Sequence, residues 1–186
     1  MEFGYIQQIL AGNDSYFTYF LDTYKHMAYS VAFSITDNKE DAEDAVQEAF
    51  VKAYRSLAKF RQEAKFSTWF YKIVVNTALT KVKRHKIYSE VAVEELSDTL
   101  IESTDLAYKK LATEEQRQYI DLAMAKLNPE DRLILTLYYL NENSLEEITE
   151  ITAIKPENLK MKLHRARKKM YAILNKLLLS ETHTIV

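Results

Sequence analysis

Two glycines in 186 residues constrain this chain more than any motif in it. Gly4 and Gly12 both lie near the N-terminus, so no glycine-rich turn is available to cradle a phosphate or a dinucleotide. That excludes P-loop and Rossmann enzymes. The two prolines, Pro129 and Pro156, interrupt the chain as rarely, and apolar residues recur at spacings of three and four instead of alternating. The expected fold class is therefore all-α, with long helices joined by polar connections.

Composition narrows the function further. The chain has no cysteine, hence no disulfide framework and no thiolate metal site, and His26, His85, His164 and His183 are too scattered to form a zinc set. No nucleophile, base and orienting group fall together, so the chain reads as a non-enzyme without cofactor, metal or small-molecule substrate. The first residues lack a basic start and apolar run, and no apolar stretch is long enough to span a bilayer, so a cytoplasmic location is expected. A net charge of -2 argues against bulk attraction to nucleic acid, but the charge is unevenly placed.

Helical spacing runs through residues 5–10, and then through Phe17, Phe20, Tyr24, Met27, Val31 and Ile35, predicting a short helix followed by a long one. Asp37 and Asn38 punctuate the chain. A third helix places Ala42, Ala45, Val46, Ala49, Ala53 and Leu57 on one face, leaving Asp44, Gln47, Glu48, Val51 and Arg55 on the other. After a polar turn at residues 61–65, a fourth begins near Ser67, turns Phe70, Ile73 and Thr77 inward, and ends in Lys81, Lys83, Arg84 and Lys86. The following stretch is acidic, then regains helical spacing through Leu111, Ile120, Leu122 and Met124. The expected organisation is a helical domain over residues 1–88, an acidic linker over 89–112 and a second helical domain over 113–186.

Capping chemistry marks the helices of the second half. Asn128 is a good N-cap with Pro129 at the first helical position, where a missing N–H costs nothing. Ser144 and Glu147 have the spacing of a capping box, and Pro156 opens the last helix. In that helix Leu159, Leu163, Ala166, Met170, Ile173 and Leu177 form an apolar stripe. The opposite side carries Met161, His164, Arg165 and Lys168, flanked by Lys160, Lys162, Arg167 and Lys169. The tail from Ser180 is assigned no role.

A basic helix face has three readings: a solvated surface, a membrane-surface strip or a nucleic-acid reader. The membrane reading needs an apolar face free to enter lipid, whereas here that face is expected to pack on Leu133, Leu137, Leu145 and Ile148. A short capped helix and a tight connection precede the basic helix, which makes a helix-turn-helix. Such a helix can enter a major groove about 12 Å wide while its cations meet phosphates.

Two further stretches carry a resemblance. "DAEDAVQEAFVKAY" (41–54) with "KFSTWFYKIVVNTA" (65–78) resembles region 2 of bacterial sigma-70 family factors of the extracytoplasmic-function (ECF) type. "LNPEDRLILTLYYLNENSLEEITEITAIKPENLKMKLHRARKKM" (127–170) is similar to the family's region 4. The resemblance implies a promoter-specificity subunit that binds the β′ and β subunits of core RNA polymerase and promoter DNA. Asp44, Gln47, Glu48 and Val51 would dock on the β′ coiled coil. Arg61, Gln62 and Glu63 would capture an unpaired minus-ten base, Trp69 would bind minus-ten DNA in the same DNA-opening element, and Lys72, Asn76, Lys81, Lys83 and Arg84 would hold strand and backbone. Lys160, Met161, His164 and Arg165 would face minus-35 bases, with Lys162, Arg167, Lys168 and Lys169 nearer phosphates.

The acidic linker would thread into the polymerase's active-site and RNA-exit channels, and an anti-sigma factor, often membrane-bound in this family, would hold the chain silent. Four positions depart from the family pattern. Thr149 stands for a usual alanine, Ala153 for a usual glycine, Pro156 for a serine or threonine cap, and Met161 for a small polar residue. The competing reading is an autonomous helix-turn-helix regulator whose N-terminal helices sense a ligand or dimerise, which leaves "DAEDAVQEAF" unexplained.

Overall fold

The computed structural model describes residues 2–88 and 114–182, and every regular element among them is helical. The elements are α1 (Glu2–Leu10), α2 (Phe17–Thr36), α3 (Lys39–Ser56), α4 (Phe66–Tyr88), α5 (Glu114–Ala125), α6 (Pro129–Leu135), α7 (Leu145–Thr152) and α8 (Pro156–Thr182). The expected acidic linker, residues 89–112, and Leu111 with it, lie outside the described residues.

In the N-terminal unit α2, α3 and α4 pack pairwise around a cluster of rings. Phe70 is fully buried, with its ring centroid 4.5 Å from that of Phe50, and Phe20 lies 4.3 Å from Phe66. The alanines of α3 at positions 42, 45, 49 and 53 are all buried, and their small side chains let the backbones of α2 and α4 approach. Phe50 completes that face. α1 lays Ile6 and Ile9 into the same core, and the Tyr24 hydroxyl donates to the Glu2 carboxylate.

Asp37 and Asn38 turn the chain sharply between α2 and α3. Asp37 ends α2 in the left-handed conformation (φ 54°), which a short polar side chain tolerates better than most. Asn38 then caps α3, its side-chain oxygen accepting from the Asp41 N–H at 2.9 Å.

The C-terminal unit is built on α8, which packs against α5, α6 and α7 and buries Leu159, Leu163, Ala166 and Met170. Ile173 and Leu177, on the same stripe, are half-buried. The expected caps are formed: Asn128 accepts from the Asp131 N–H at 2.8 Å, and Ser144 and Glu147 satisfy each other's backbone N–H groups at 3.2 and 2.8 Å. The helix that opens at Pro129 continues to Leu140, but Thr136–Leu140 widens into a π-turn, with the Asn141 N–H reaching the Thr136 carbonyl at 3.0 Å. Two residues on the apolar spacings, Met27 and Leu122, do not turn inward: they are 39% and 52% exposed, and Ala123 and Leu127 take the buried positions on either side of half-buried Met124.

Candidate nucleic-acid interface

The helix-turn-helix is α7 and α8. Its turn keeps the left-handed residue that the fold requires, but alanine supplies it: Ala153 sits at φ 59°, ψ 17° and donates its N–H to the Thr149 carbonyl at 2.9 Å. A left-handed alanine costs about 1–2 kcal/mol, of which glycine gives back part through its greater freedom when unfolded. Ala153→Gly should therefore raise stability by about 0.5–1 kcal/mol, read as a thermal midpoint about 2 °C higher; an unchanged or lower midpoint would show the turn to be unstrained. Nearby, the Thr149 hydroxyl is buried without a hydrogen-bond partner, a cost that the smaller alanine would avoid.

Along α8 the buried stripe fixes what faces outward. At 100° per residue Met161 falls opposite Leu163 and Ala166, and it is 56% exposed, with exposed His164 and Arg165 and half-buried Lys168 around it. Lys160 is exposed on the flank. Among the predicted phosphate contacts, Lys162 and Lys169 are already engaged by carboxylates. Lys162 Nζ lies 2.6 Å from a Glu130 oxygen, and Lys169 Nζ lies 2.9 Å from a carboxylate oxygen of Asp131, whose side chain is only 7% exposed. These lysines tie α8 to the N-terminus of α6, a role that helical spacing does not reveal. Arg167 is half-buried.

The N-terminal unit presents two adjoining surfaces. Asp44, Gln47, Glu48 and Val51 are all exposed on α3, as the spacing predicts. A 2.8 Å pair with Lys52 holds the Glu48 carboxyl below the usual carboxylate range. On α4, Lys72, Asn76, Lys83 and Arg84 are exposed and Lys81 is half-buried. Lys81 Nζ reaches Asp44 at 3.2 Å, so residues expected to serve polymerase and DNA separately are joined here.

Arg61, Gln62 and Glu63 are exposed in the loop before α4, with Gln62 left-handed at φ 61°. Trp69 is half-buried, its ring 5.1 Å from Phe60 and 5.5 Å from Phe66, so the loop is braced against the aromatic core.

Sequence reasoning passed over Lys65 and Arg132. Lys65 Nζ is 2.9 Å from Glu147 on α7, and that contact raises the Lys65 pKa. Partial burial of Glu147 opposes its ionisation, but Lys65 and the Ser144 cap prevail and hold its carboxyl below the usual range. Arg132, 5% exposed, pairs with Asp37. Among the described residues no His, Asp and Glu group could hold a metal ion, and no helix is long and apolar enough to cross a membrane.

A helix-turn-helix with a cationic outer face, carried with a second helical unit that exposes an acidic face, defines a two-module DNA-binding protein. Residues 20–87 match sigma-70 region 2, and residues 117–170 match sigma-70 region 4. The chain is 31% identical over 169 residues to the ECF RNA polymerase sigma factor SigW of Bacillus subtilis (strain 168), covering 87% of this chain and 90% of that protein. It is 34% identical over 156 residues to the RNA polymerase sigma factor SigV of the same organism, covering 82% and 87%. Its fold is similar to that of the sigma factor RpoE from Bartonella quintana, solved in complex with the anti-sigma factor NepR: TM-score 0.66, 19% identity, 86% of this chain and 96% of that one. The chain belongs to the sigma-70 family of RNA polymerase sigma factors, in its extracytoplasmic-function group.

Proposed function

We propose that the chain brings core RNA polymerase to promoters through three surfaces. The exposed α3 face of Asp44, Gln47, Glu48 and Val51 docks on polymerase. Arg61, Gln62 and Glu63, braced by Trp69, capture a minus-ten base while Lys72, Asn76, Lys81, Lys83 and Arg84 hold the strand. The centre of the α8 face, Lys160, Met161, His164 and Arg165, reads the minus-35 element, with Arg167 and Lys168 at phosphates. Lys162 and Lys169 contribute to phosphate binding only by exchanging their carboxylate partners.

The observation that carries this reading is the exposure, in one chain, of both the α3 acidic face and the α8 cationic face, the first opposite Ala42, Ala45, Ala49 and Ala53 and the second opposite Leu159, Leu163, Ala166 and Met170, all buried. An autonomous regulator would need the second face and leave the first without a role. The domains are taken as residues 1–88 and 113–186 with the acidic segment 89–112 between them. The protein acts by binding, without catalysis, in the cytoplasm, and an anti-sigma factor is the partner expected to silence it.

The test is transcription from a promoter library by core polymerase with and without the purified chain. We expect transcripts from a defined subset of templates only when both are present, and weak, unselective DNA retention by the chain alone. Tight sequence-specific binding by the isolated chain, with no effect on polymerase, would assign it to the autonomous class.

A further inference from the structure

Two lysines of the basic helix that helical spacing treats alike are held in different ways. Lys162 and Lys169 are seven positions apart, so both leave the same flank of α8, about 10 Å from one another along its axis. Their partners are neighbours in the first turn of α6: Glu130 holds Lys162 at 2.6 Å and Asp131 holds Lys169 at 2.9 Å. α8 is thereby clamped to α6 at two points, two turns apart.

The two points differ in burial. The Glu130 side chain is 51% exposed and that of Lys162 36%, so water competes with the pair, and exposed pairs of this kind are weak. Asp131 is buried, and the cap of α6 fixes its place. Its N–H donates to Asn128 Oδ1 and its Oδ2 accepts from Asn128 Nδ2, both at 2.8 Å, before Lys169 donates to the same oxygen. Were Lys169 to leave for a phosphate, a buried carboxylate would remain without its counter-ion, a penalty that one exposed phosphate contact does not offset.

We propose that Asp131 and Lys169 are positioning residues that set the rotation of α8 about its axis, whereas Glu130 is a competitor that a DNA phosphate displaces from Lys162. The inference rests on the function proposed above and leaves Lys162 alone as the phosphate contact on this flank. The clamped flank lies about 90° round α8 from Met161. With side chains reaching about 5–6 Å from the axis, a rotation of about 10° carries a base-facing atom by about 1 Å. A binding constellation has to be held within about 0.5 Å. Loosening the buried point therefore blurs reading at several base positions at once, which the loss of a single base contact does not do.

Two measurements separate the roles. Retention of duplex DNA by the full chain alone is read against salt, and selection from a randomised minus-35 library is read with core polymerase. Lys162→Ala should lower the salt slope by about one unit, and Glu130→Gln should tighten retention at low salt about 2- to 5-fold. That gain should vanish in the Lys162→Ala background, which distinguishes release of the lysine from removal of a negative charge. Asp131→Asn with Lys169→Gln keeps a neutral hydrogen-bonded pair in the clamp. It should leave the salt slope unchanged and relax preference at two or more minus-35 positions, while Lys169→Arg with Asp131 kept should retain the parent's preference.

A slope lowered by about one unit in the doubly neutral form would make Lys169 a phosphate contact, and a preference identical to the parent's would deny the clamp a part in reading. Either result overturns the positioning role. No gain from Glu130→Gln, or a gain that persists without Lys162, overturns the competition. Lys169→Gln alone, which leaves the cap of α6 untouched, carries the same comparison if the double form does not fold. The salt slopes need no polymerase, so a chain that fails to direct transcription would count against the proposed function and leave the two lysines to be judged on their own result.

Discussion

Gln47→Ala combined with Glu48→Lys should abolish retention of the chain by core RNA polymerase in a pull-down. Both side chains are exposed on α3, opposite a face whose alanines are fully buried, so changing them disturbs no core contact. The Glu48–Lys52 pair joins side chains that are 44% and 46% exposed, and exposed pairs of this kind contribute little to stability. The substitutions are therefore expected to leave the fold intact. Removing one member of a charge pair desolvated at an interface costs about 2–5 kcal/mol, so the dissociation constant should rise at least about 30-fold. Retention equal to the parent's would remove α3 from the docking surface and with it the assignment of Asp44 and Val51.

Arg165→Ala should change promoter choice by polymerase carrying the chain, whereas Lys168→Ala should weaken binding to all promoters alike. Arg165 is exposed close to the apex of the outer α8 face beside Met161, and its planar fork suits two acceptors on a guanine edge. Loss of such a bidentate contact costs about 1–3 kcal/mol, or roughly 5- to 150-fold, and relaxes preference at one minus-35 position. A phosphate contact by Lys168 instead lowers the salt dependence by about one unit without altering preference. Met161 offers an apolar contact suited to a thymine methyl, so replacing thymine by uracil at the matching position should mimic Met161→Ala. Selection from a randomised minus-35 library at two salt concentrations separates these effects. An Arg165→Ala profile identical to the parent's would place base reading elsewhere on α8.

Much of this architecture was legible in local spacing. Helix α3 shows its two faces through residues three and four apart, and the caps at Asn128 and Ser144 depend on groups within three positions. Such signals are short-ranged and survive in a bare sequence. Spacing alone does not orient α5, because Leu122 and Ala123 differ in hydrophobicity in the sense opposite to their burial, and only the fit against α8 decides which turns inward. The family pattern likewise left the turn open at Ala153, where the structure shows the left-handed conformation accepted without glycine.

The sequence by itself determined an all-helical chain, the inward stripe of nearly every helix, and the residues left facing outward on α3 and α8. Which of those outward charges are free was decided by tertiary structure alone. Lys162 and Lys169 look like their neighbours until α6 brings Glu130 and Asp131 to them. Asp37 and Arg132, ninety-five positions apart, share no period that could foretell their pairing. Helical faces follow from the geometry of one turn, but a charge finds its partner only through the packing of helices that the chain order does not place together.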